Sequence, residues 1–479
     1  MPDAIDESAS VEGPVAESAS RPPAPANHLL SRSVTSALLW LALPVLAEQS
    51  LFLLLGLTEM FLAGTISKEA TTAIGLASQV GWLAGLLFSF VGVGATALVS
   101  RHAGMGDPKQ ANHFANQAMG AAVLMGITAC ALLQLAAPYM PGFLHWKGEP
   151  AEIGVRFLRV DACGHITGAL VVIASACWRG TGDTRTPLYI MCAANLFNIV
   201  VSTTLRFGWG PIPSYGVMGI AYGTLCARIL GGAIAVALLF RGRSGLQLLR
   251  RELPFRGDSM SRLFRVGIPA GIDGILLWSG QFAFLMIISN LATGEEQAAT
   301  VAAHFVGIRV EALSYLPAWA WGVAAATMVG QSLGAGQPDR ARRSGHLAAA
   351  QGAGLCLLMG VCYFVFAKQI YAVMNSSGDL ERVSAIGVPA LRLLAFFQIP
   401  CALMIIYPNA LRGAGDTRYP LLYTLLGMVI WRLPLAYLCG VTLNGGLVGA
   451  WIGMCLDMTF RAICNAIRFT RGRWVAIQV

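Results

Sequence analysis

Six acidic side chains occur inside long apolar stretches of the sequence, and their types and positions suit ion chemistry. They are Glu48, Glu59, Asp161, Asp273, Glu311 and Asp457. An ionisable group at membrane depth costs several kcal/mol, so it is usually retained to bind a proton, an ion or a charged partner. No Ser/His/Asp set, HExxH motif or paired carboxylates of a hydrolase stand out. We therefore predict ion or proton transfer inside a membrane and no enzyme activity.

Two of these acids have candidate partners. Asp161 and His165 are four residues apart and share one face of a helix, where they form either a proton relay or a structural polar pair. Arg432 and Asp457 lie at similar depth in two successive apolar stretches, and we predict a structural ion pair between them. Arg228 lies inside an apolar stretch, and we assign no partner to it.

The apolar stretches have the length of transmembrane helices. The 479-residue chain has 56% hydrophobic and 12% charged residues and a mean hydropathy of +0.63, which excludes an ordinary water-soluble surface. Twelve apolar segments follow one another between residues 36 and 468, and a helix needs roughly 20 residues to span a bilayer. Lipid cannot satisfy the edges of an open sheet. We predict an all-α polytopic membrane protein with twelve transmembrane helices.

The net charge of +9 is read as an orientation signal. Most lysines and arginines lie on the same side of the predicted helices as the amino terminus, so both termini are expected in the cytoplasm and the chain in the cytoplasmic (inner) membrane. The basic residues form no stripe interleaved with aromatics, and we expect no nucleic-acid partner. The 11 cysteines fall inside apolar runs without a CxxC pair, so no metal site, disulfide framework or cofactor is predicted.

The two halves of the chain repeat each other. Segment 178–188 contains Arg-Gly-Thr-Gly-Asp-Thr-Arg-Thr-Pro, and segment 411–421 contains Arg-Gly-Ala-Gly-Asp-Thr-Arg-Tyr-Pro, at an offset of 233 residues. A Gly-x-Gly-x-Pro motif repeats at 104–108 and 334–338, at an offset of 230. Six helices per repeat give two six-helix bundles related by a pseudo-twofold axis along the membrane normal, with a cavity between them.

We divide the chain on this basis. Residues 1–33 are polar and are expected to be a disordered cytoplasmic tail. The expected N-terminal bundle spans 34–241, a cytoplasmic linker 242–260, the C-terminal bundle 261–470, and a second cytoplasmic tail 471–479. Glu48 and Asp273 are equivalent at an offset of 225. Either acid could line the cavity and attract cationic substrates, or pair with an arginine near the cytoplasmic side.

The repeated loops, segment 44–64 of the first helix, and segment 461–474 ending in Arg-Gly-Arg-Trp together resemble the MATE family of multidrug and toxic compound extrusion antiporters. The resemblance covers essentially everything after residue 33. It implies a central cleft that opens alternately to each side. It also implies export of small organic compounds, often cationic, driven by inward protons or sodium. The protein is expected to be monomeric.

The resemblance also implies a coupling site. Glu59 stands where family members usually carry an ion-binding aspartate, and Asn198 and Thr224 match the family's partners in the fifth and sixth helices. Ser202 replaces a frequent second carboxylate. Since a hard cation needs several oxygen ligands and a proton needs one carboxylate, this favours protons.

Two further replacements, Leu277 and Cys401, also favour protons, because some sodium-coupled members carry acids at these positions. The pattern is closest to the branch of DNA-damage-inducible bacterial members. Sodium coupling remains the alternative for the ion.

Aromatic side chains are the candidates for binding lipophilic cations in the cleft. Core packing or an interfacial belt is the alternative for each of Trp278, Phe282, Phe284, Trp319 and Trp321. A flippase for lipid-linked or polysaccharide precursors is the rival transporter, but those relatives often have fourteen helices and a cationic cavity. An ATP-driven pump is excluded, because none of the four lysines follows a glycine and no Walker A loop exists.

Overall fold

The computed structural model describes residues 29–66, 68–143, 148–374 and 380–477. Within these ranges, eleven helices are long and apolar enough to cross a membrane, and a bent helix pair counts as a twelfth span. The prediction of twelve transmembrane helices is confirmed. We number them in chain order: α1 Val34–Gly64, α2 Lys68–Gly104, α3 Pro108–Ala136, α4 Glu149–Thr181, α5 Arg185–Phe207, α6 Val217–Phe240, α7 Gly257–Ser289, α8 Gly294–Gly334, α9 Pro338–Met374, α10a Leu380–Ala395 with α10b Gln398–Gly413, α11 Arg418–Thr442 and α12 Gly446–Thr470.

Successive helices run in opposite directions, which defines two faces of the molecule. We call the face where α1 begins and α12 ends the termini face, and the other the opposite face. The linker before α7 and both repeated loops lie at the termini face. Glu59 lies five residues before the end of α1, close to the opposite face.

The buried apolar residues form three clusters that follow the sequence repeat. One cluster belongs to α7–α12, and two belong to α1–α6. Helices α1 and α7, which are equivalent in the repeat, are the exceptions, because the first half of each packs in a cluster of the other unit. Leu38, Leu41 and Val45 of α1 pack in the core of α7–α12, whereas Leu263 of α7 packs in a core of α1–α6. Each six-helix unit therefore begins inside the core of the other.

Glycines bring α2 and α7 into backbone contact toward the termini face. A Cβ atom added to Gly94 of α2 would lie 3.3 Å from Cα of Leu263 and nearer still to its carbonyl group. A Cβ atom added to Gly267 of α7 would lie 2.7 Å from the carbonyl carbon of Phe90. Only glycine permits such an approach, because any side chain would displace the facing backbone.

The ends of α2 and α8 meet in a second close contact. A Cβ atom at Gly104 would lie 2.7 Å from the carbonyl carbon of Gln331, and one at Gly334 would lie 3.0 Å from that of Arg101. Gly104 and Arg101 are equivalent to Gly334 and Gln331 at the offset of 230, so the contact is reciprocal. Gln331 also donates to the carbonyl oxygen of Gly180 in the first repeated loop (2.9 Å). These contacts join the two units at the termini face.

The tenth span is bent by 58° between α10a and α10b, where the sequence predicts one apolar segment from 383 to 410. Pro400 lies in the first turn of α10b and has no N–H for the carbonyl group of Phe396. The chain therefore turns through short i→i+3 hydrogen bonds ending at Phe396 and Phe397. In α11, the segments Gly427–Arg432 and Leu438–Thr442 are π-helical, a local widening that often occurs at functional positions.

The linker and tails are packed where they are described. Side chains of Asn112, Asn116 and Gln117 in α3 bond to main-chain groups between residues 247 and 256. Helix α7 begins at Gly257, inside the predicted linker. Of the predicted disordered tail, residues 1–28 lie outside the described ranges.

Residues 29–33 correct the predicted boundary of that tail. Leu29 is 4% exposed in the core of α7–α12, and Arg340 donates to the main-chain oxygens of Leu29 (3.0 Å) and Arg32 (2.8 Å). The apolar side chain of Leu29 accounts for the ordering, because a core position is available to it beside α9. At the other end of the chain, Trp474 is fully buried and stacks on Phe469, with ring centroids 4.7 Å apart.

Candidate functional site

Glu59, Thr224 and Asn198 form a chain of hydrogen bonds that joins three helices near the opposite face. The Thr224 hydroxyl group of α6 donates to Oε1 of Glu59 in α1 at 2.6 Å. Nδ2 of Asn198 in α5 donates to the Thr224 oxygen at 3.2 Å. Glu59 is half-buried, while Asn198 and Thr224 are buried. The structure therefore brings together three of the four residues predicted for ion coupling.

Glycines in α6 make this arrangement possible. A Cβ atom at Gly219 would lie 2.6 Å from the carbonyl carbon of Leu205 in α5, and one at Gly223 would lie 2.7 Å from Cα of Ser202. The backbones of α5 and α6 thus run in contact, which places Thr224 opposite Asn198. Ser202 is fully buried against Gly223, and its hydroxyl group has no hydrogen bond within the described residues. It lies beside the chain of hydrogen bonds but does not join it.

Asn195 is a neighbour that the sequence reasoning did not single out. Its Nδ2 atom donates to the main-chain oxygen of Leu51 in α1 at 2.8 Å, which ties α5 to the helix that carries Glu59. The amide oxygens of Asn195 and Asn198 are buried and have no hydrogen-bond partner among the described residues. Asn195 is three residues before Asn198 and lies on the same face of α5, and this spacing is the sequence pattern that indicates a shared polar site.

Asp161 and His165 lie on α4 in the same unit, as predicted. The carboxylate of Asp161 contacts Nε2 of His165 at 3.3 Å and, through its other oxygen, the guanidinium of Arg228 in α6 at 2.9 Å. Arg228, which had no predicted partner, therefore pairs with Asp161. A Cβ atom at Gly164 would lie 2.9 Å from Cδ of Arg228. The missing side chain at Gly164 leaves the space through which this arginine reaches the acid.

Glu48 and Asp273 occupy equivalent places, each facing an arginine of a repeated loop. Glu48 lies 2.6 Å from Arg179, and Asp273 is paired with Arg412. Both carboxylates are buried, at 4% and 3% exposure. Of the two alternatives stated above, the geometry matches pairing with an arginine near the termini face. Neither Glu48 nor Asp273 is an unpaired charge.

A second network of buried charges lies in α7–α12. Asp457 contacts Arg432 at 3.5 Å, as predicted, but its strongest partner is Arg461, one turn further along α12, at 2.8 and 2.7 Å. Arg432 also donates to Gln281 of α7 at 3.0 Å. Glu311 of α8 is 2% exposed, and its one hydrogen bond in the described part of the chain comes from Tyr315 at 3.5 Å.

The aromatic candidates divide into two groups. Trp278 and Phe282 stack on each other, with ring centroids 5.9 Å apart, and Phe282 is 57% exposed. Trp319 is also exposed and Trp278 is half-buried, so all three side chains are at least partly accessible from outside the protein core. Trp321 is buried and donates to Gln351 at 2.7 Å. Phe284 is fully buried too, which makes these last two residues part of the core.

The repeated loops cap the helices that follow them. Oδ1 of Asp183 accepts from the main-chain N–H groups of Arg185 (3.1 Å) and Thr186 (3.0 Å), and the Ser244 hydroxyl group of the linker donates to Oδ2. Burial alone would raise the pKa of Asp183, but these hydrogen bonds outweigh it and hold the pKa below its usual range. In the second loop, burial raises the pKa of Asp416 despite a 2.8 Å contact with Arg468.

The described residues contain no group of three His, Cys, Asp or Glu side chains that could hold a metal ion. The polar groups around Glu59 are a carboxylate, a hydroxyl group and side-chain amides inside helices. Glu59 can exchange a proton or ligate a cation with help from Thr224. The three accessible aromatic side chains can stack against an organic cation.

Comparison with known proteins gives a consistent assignment. The family profile MatE matches residues 44–204 and 269–438. The "Probable multidrug resistance protein NorM" of Thermotoga maritima is 30% identical over 92% of this chain and 93% of its own length. The multidrug resistance protein PmpM of Pseudomonas aeruginosa is 27% identical over 92% of each. A solved outward-facing MATE transporter of the MOP superfamily has a TM-score of 0.86 at 20% identity, covering 93% of this chain and 98% of that one.

Proposed function

Because this chain belongs to the MATE family of multidrug transporters, we propose that it exports small organic compounds, many of them cationic, in exchange for inward-moving protons. Glu59 is the proton-binding group. The observation that carries this proposal is the Glu59–Thr224–Asn198 chain of hydrogen bonds, which contains one carboxylate and no cationic side chain within 4.0 Å of it among the described residues. A carboxylate in that setting is stabilised by binding a proton.

The roles of the site residues follow from their contacts. Thr224 donates to Glu59 and so stabilises the charged form, which allows the proton to leave again. Asn198 fixes the orientation of the Thr224 hydroxyl group. Asp161 and His165, held by Arg228, are the next titratable groups in the same unit and relay or balance charge when Glu59 changes state.

The arrangement of the two six-helix units supports alternating access. Their backbone contacts, through Gly94, Gly267 and the α2 and α8 ends, lie toward the termini face. We propose that the units move as two bundles and that this conformation is open at the opposite face. Substrate held by Trp278, Phe282 and Trp319 leaves from there, and Glu59 loads its proton from the same side. With both termini cytoplasmic, the opposite face is the outer one.

Sodium coupling is the second candidate, and one observation favours it. The amide oxygen of Asn198 and the hydroxyl oxygen of Ser202 are buried without hydrogen-bond partners in the described residues. Together with Glu59 and Thr224 they supply oxygen atoms of the kind that Na⁺ binds. Protons remain the proposal because the site has a single charged ligand, and the Ser202 hydroxyl group makes no hydrogen bond to the other three among the described residues.

Transport into proteoliposomes separates the two ions. The full-length chain is reconstituted, and uptake of tetraphenylphosphonium, a lipophilic cation, is measured under an imposed pH gradient or an imposed sodium gradient. We expect uptake with the pH gradient alone, its loss in Glu59→Gln, and partial activity in Glu59→Asp, which keeps a carboxylate. Uptake driven by sodium alone, or full proton-coupled uptake by the glutamine variant, would refute the assignment.

A further inference from the structure

We propose that Glu311 is a second proton-binding carboxylate, placed in the C-terminal unit, so that each transport cycle carries a proton on both halves of the molecule. The inference rests on the proposed proton coupling and extends it to a residue that had no predicted role. It is carried by the burial of Glu311, by the lack of an ion pair to it among the described residues, and by its place in the repeat.

Glu311 differs from most of the acids inside the spans. Each of four such carboxylates lies within 4.0 Å of an arginine: Glu48, Asp161, Asp273 and Asp457. Among the described residues, no such ion pair is found for Glu59 or Glu311. A buried carboxylate that lacks a cation is stabilised by a proton, because the charged form loses its solvation without compensation. Glu311 thus shares the property that marks Glu59 as the coupling residue.

The arginines near Glu311 are committed to other groups. Arg461 makes two hydrogen bonds to Asp457, at 2.8 and 2.7 Å. Arg432 donates to Gln281 at 3.0 Å and lies over the ring of Phe284, 5.4 Å from its centroid. Both arginines act on Glu311 electrostatically without bonding to it, so its only hydrogen bond in the described part of the chain is the long one from Tyr315.

Titratable and charged groups of α7–α12 lie around Glu311. By helix, they are Tyr315 of α8 itself, Cys356 and Tyr363 of α9, Cys401 of α10b, Arg432 of α11, and Cys455, Asp457 and Arg461 of α12, with Asp273 of α7 acting on Arg461. In the described part of the chain, Glu311 is the acid of this group that has no arginine within 4.0 Å. The thiols and phenols lose protons only at high pH, which leaves the Glu311 carboxyl group as the candidate for proton exchange.

The repeat relates Glu311 to a position in the N-terminal unit that also lies beside a carboxylate. At the offset of 230 that relates the ends of α2 and α8, its equivalent is Gly81 of α2. A Cβ atom at Gly81 would lie 3.5 Å from Oδ2 of Asp161 and 3.8 Å from the ring of His165. The corresponding region of both units is thus occupied by a carboxylate, contributed by α4 in one unit and by α8 in the other.

Proton release from Glu311 has a structural consequence. The set of Glu311, Asp457, Arg432 and Arg461 carries one positive charge when Glu311 is protonated and none when it is not. Release therefore attracts Arg432 toward Glu311 and weakens its 3.5 Å contact with Asp457. Arg432 lies at the end of the π-helical segment of α11, so the proton state of α8 is transmitted to the shape of α11.

Infrared difference spectroscopy tests the proposal without any transport substrate. Spectra of the detergent-solubilised full-length chain are compared between about pH 5 and about pH 9, where buried carboxyl groups titrate. We expect two carbonyl bands of protonated carboxyl groups in the wild type. One should be lost in Glu311→Gln, the other in Glu59→Gln, and both in the double variant. Glu296→Gln, the same change at an exposed position of α8, should retain both bands.

A second measurement links the band to coupling. The number of protons moved per tetraphenylphosphonium is obtained from the gradient at which net transport stops, and it should fall from about two to about one in Glu311→Gln. An unchanged spectrum and an unchanged proton number in Glu311→Gln overturn the inference. Absence of proton coupling in the wild type contradicts the proposed function instead. If the glutamine variant does not fold, Glu311→Asp should shift the band rather than remove it, and an unshifted band would count against the proposal.

Discussion

The backbone contact between α2 and α7 predicts that one added methyl group will change which face of the transporter is open. In Gly94→Ala the new Cβ atom would lie 3.3 Å from Cα of Leu263 and nearer to its carbonyl group, and these are main-chain atoms that no rotamer change can move. Overpacking of this kind costs about 1–3 kcal/mol. The cost applies only while the termini face is closed.

The equilibrium between conformations should shift accordingly. A penalty of 1–3 kcal/mol corresponds to a change of about 5- to 150-fold in the ratio of closed to open molecules at the termini face. Gly85→Ala is the matched control, because the same change on the same helix meets nothing within 4 Å. Gly267→Ala, on the other side of the contact, should reproduce the effect of Gly94→Ala.

Distance measurements by double electron–electron resonance provide the assay. Spin-labelled non-natural residues at Lys109 of α3 and Asp339 of α9 avoid the 11 native cysteines and report on the termini face from both units. We expect a longer distance to become populated in Gly94→Ala and the wild-type distribution to persist in Gly85→Ala. If both variants give the wild-type distribution while remaining folded, the contact is not the closure of the termini face.

Two further predictions concern stability. Arg228→Ala should lower the free energy of unfolding by about 3 kcal/mol, because it leaves Asp161 buried without its arginine. Asp161→Asn combined with Arg228→Met should recover most of this loss in thermal unfolding. Asp183→Ala should cost about 0.5–2 kcal/mol at pH 7 by removing a helix cap. Since the folded-state pKa of Asp183 is lowered, its contribution is present above the unfolded-state value of about 3.9 and is lost as pH falls through the lower folded-state value. The difference between wild type and variant should therefore disappear in unfolding curves recorded at progressively lower pH; a pH-independent difference would contradict the role of the charge.

The sequence predicted the family, the number of spans and the repeat, because these depend on hydrophobic length and on motif spacing along the chain. Family membership and the twelve spans are confirmed by the comparisons and by the helices. The assignment to the DNA-damage-inducible branch stays a prediction. The grouping of Glu59 with Thr224 and Asn198 rested on family resemblance and on depth, and the structure places these residues in hydrogen-bond contact.

What the sequence did not predict is the lateral direction of each side chain. Lipid and protein core are both apolar, so hydrophobic periodicity does not tell which face of a transmembrane helix points inward. The pairing of Arg228 with Asp161 depends on such a direction and on the space left by Gly164. The contact of Asp457 with Arg461 (2.7 Å) is less than 1 Å shorter than its contact with Arg432 (3.5 Å), a difference that residue spacing does not resolve.

The exchange of α1 and α7 between the two cores has a kinetic consequence. Opening the termini face requires Leu38 and Leu41 to leave one core and Leu263 to leave the other. An intermediate in which one helix has moved exposes apolar side chains while the second helix still holds the units together. Such an intermediate has the free-energy cost of the exposed apolar side chains, but its two units are still held together. The movements of α1 and α7 out of the two cores should therefore occur in a single concerted step. The turnover rate should then show a steep temperature dependence, set by the combined unpacking of both helices.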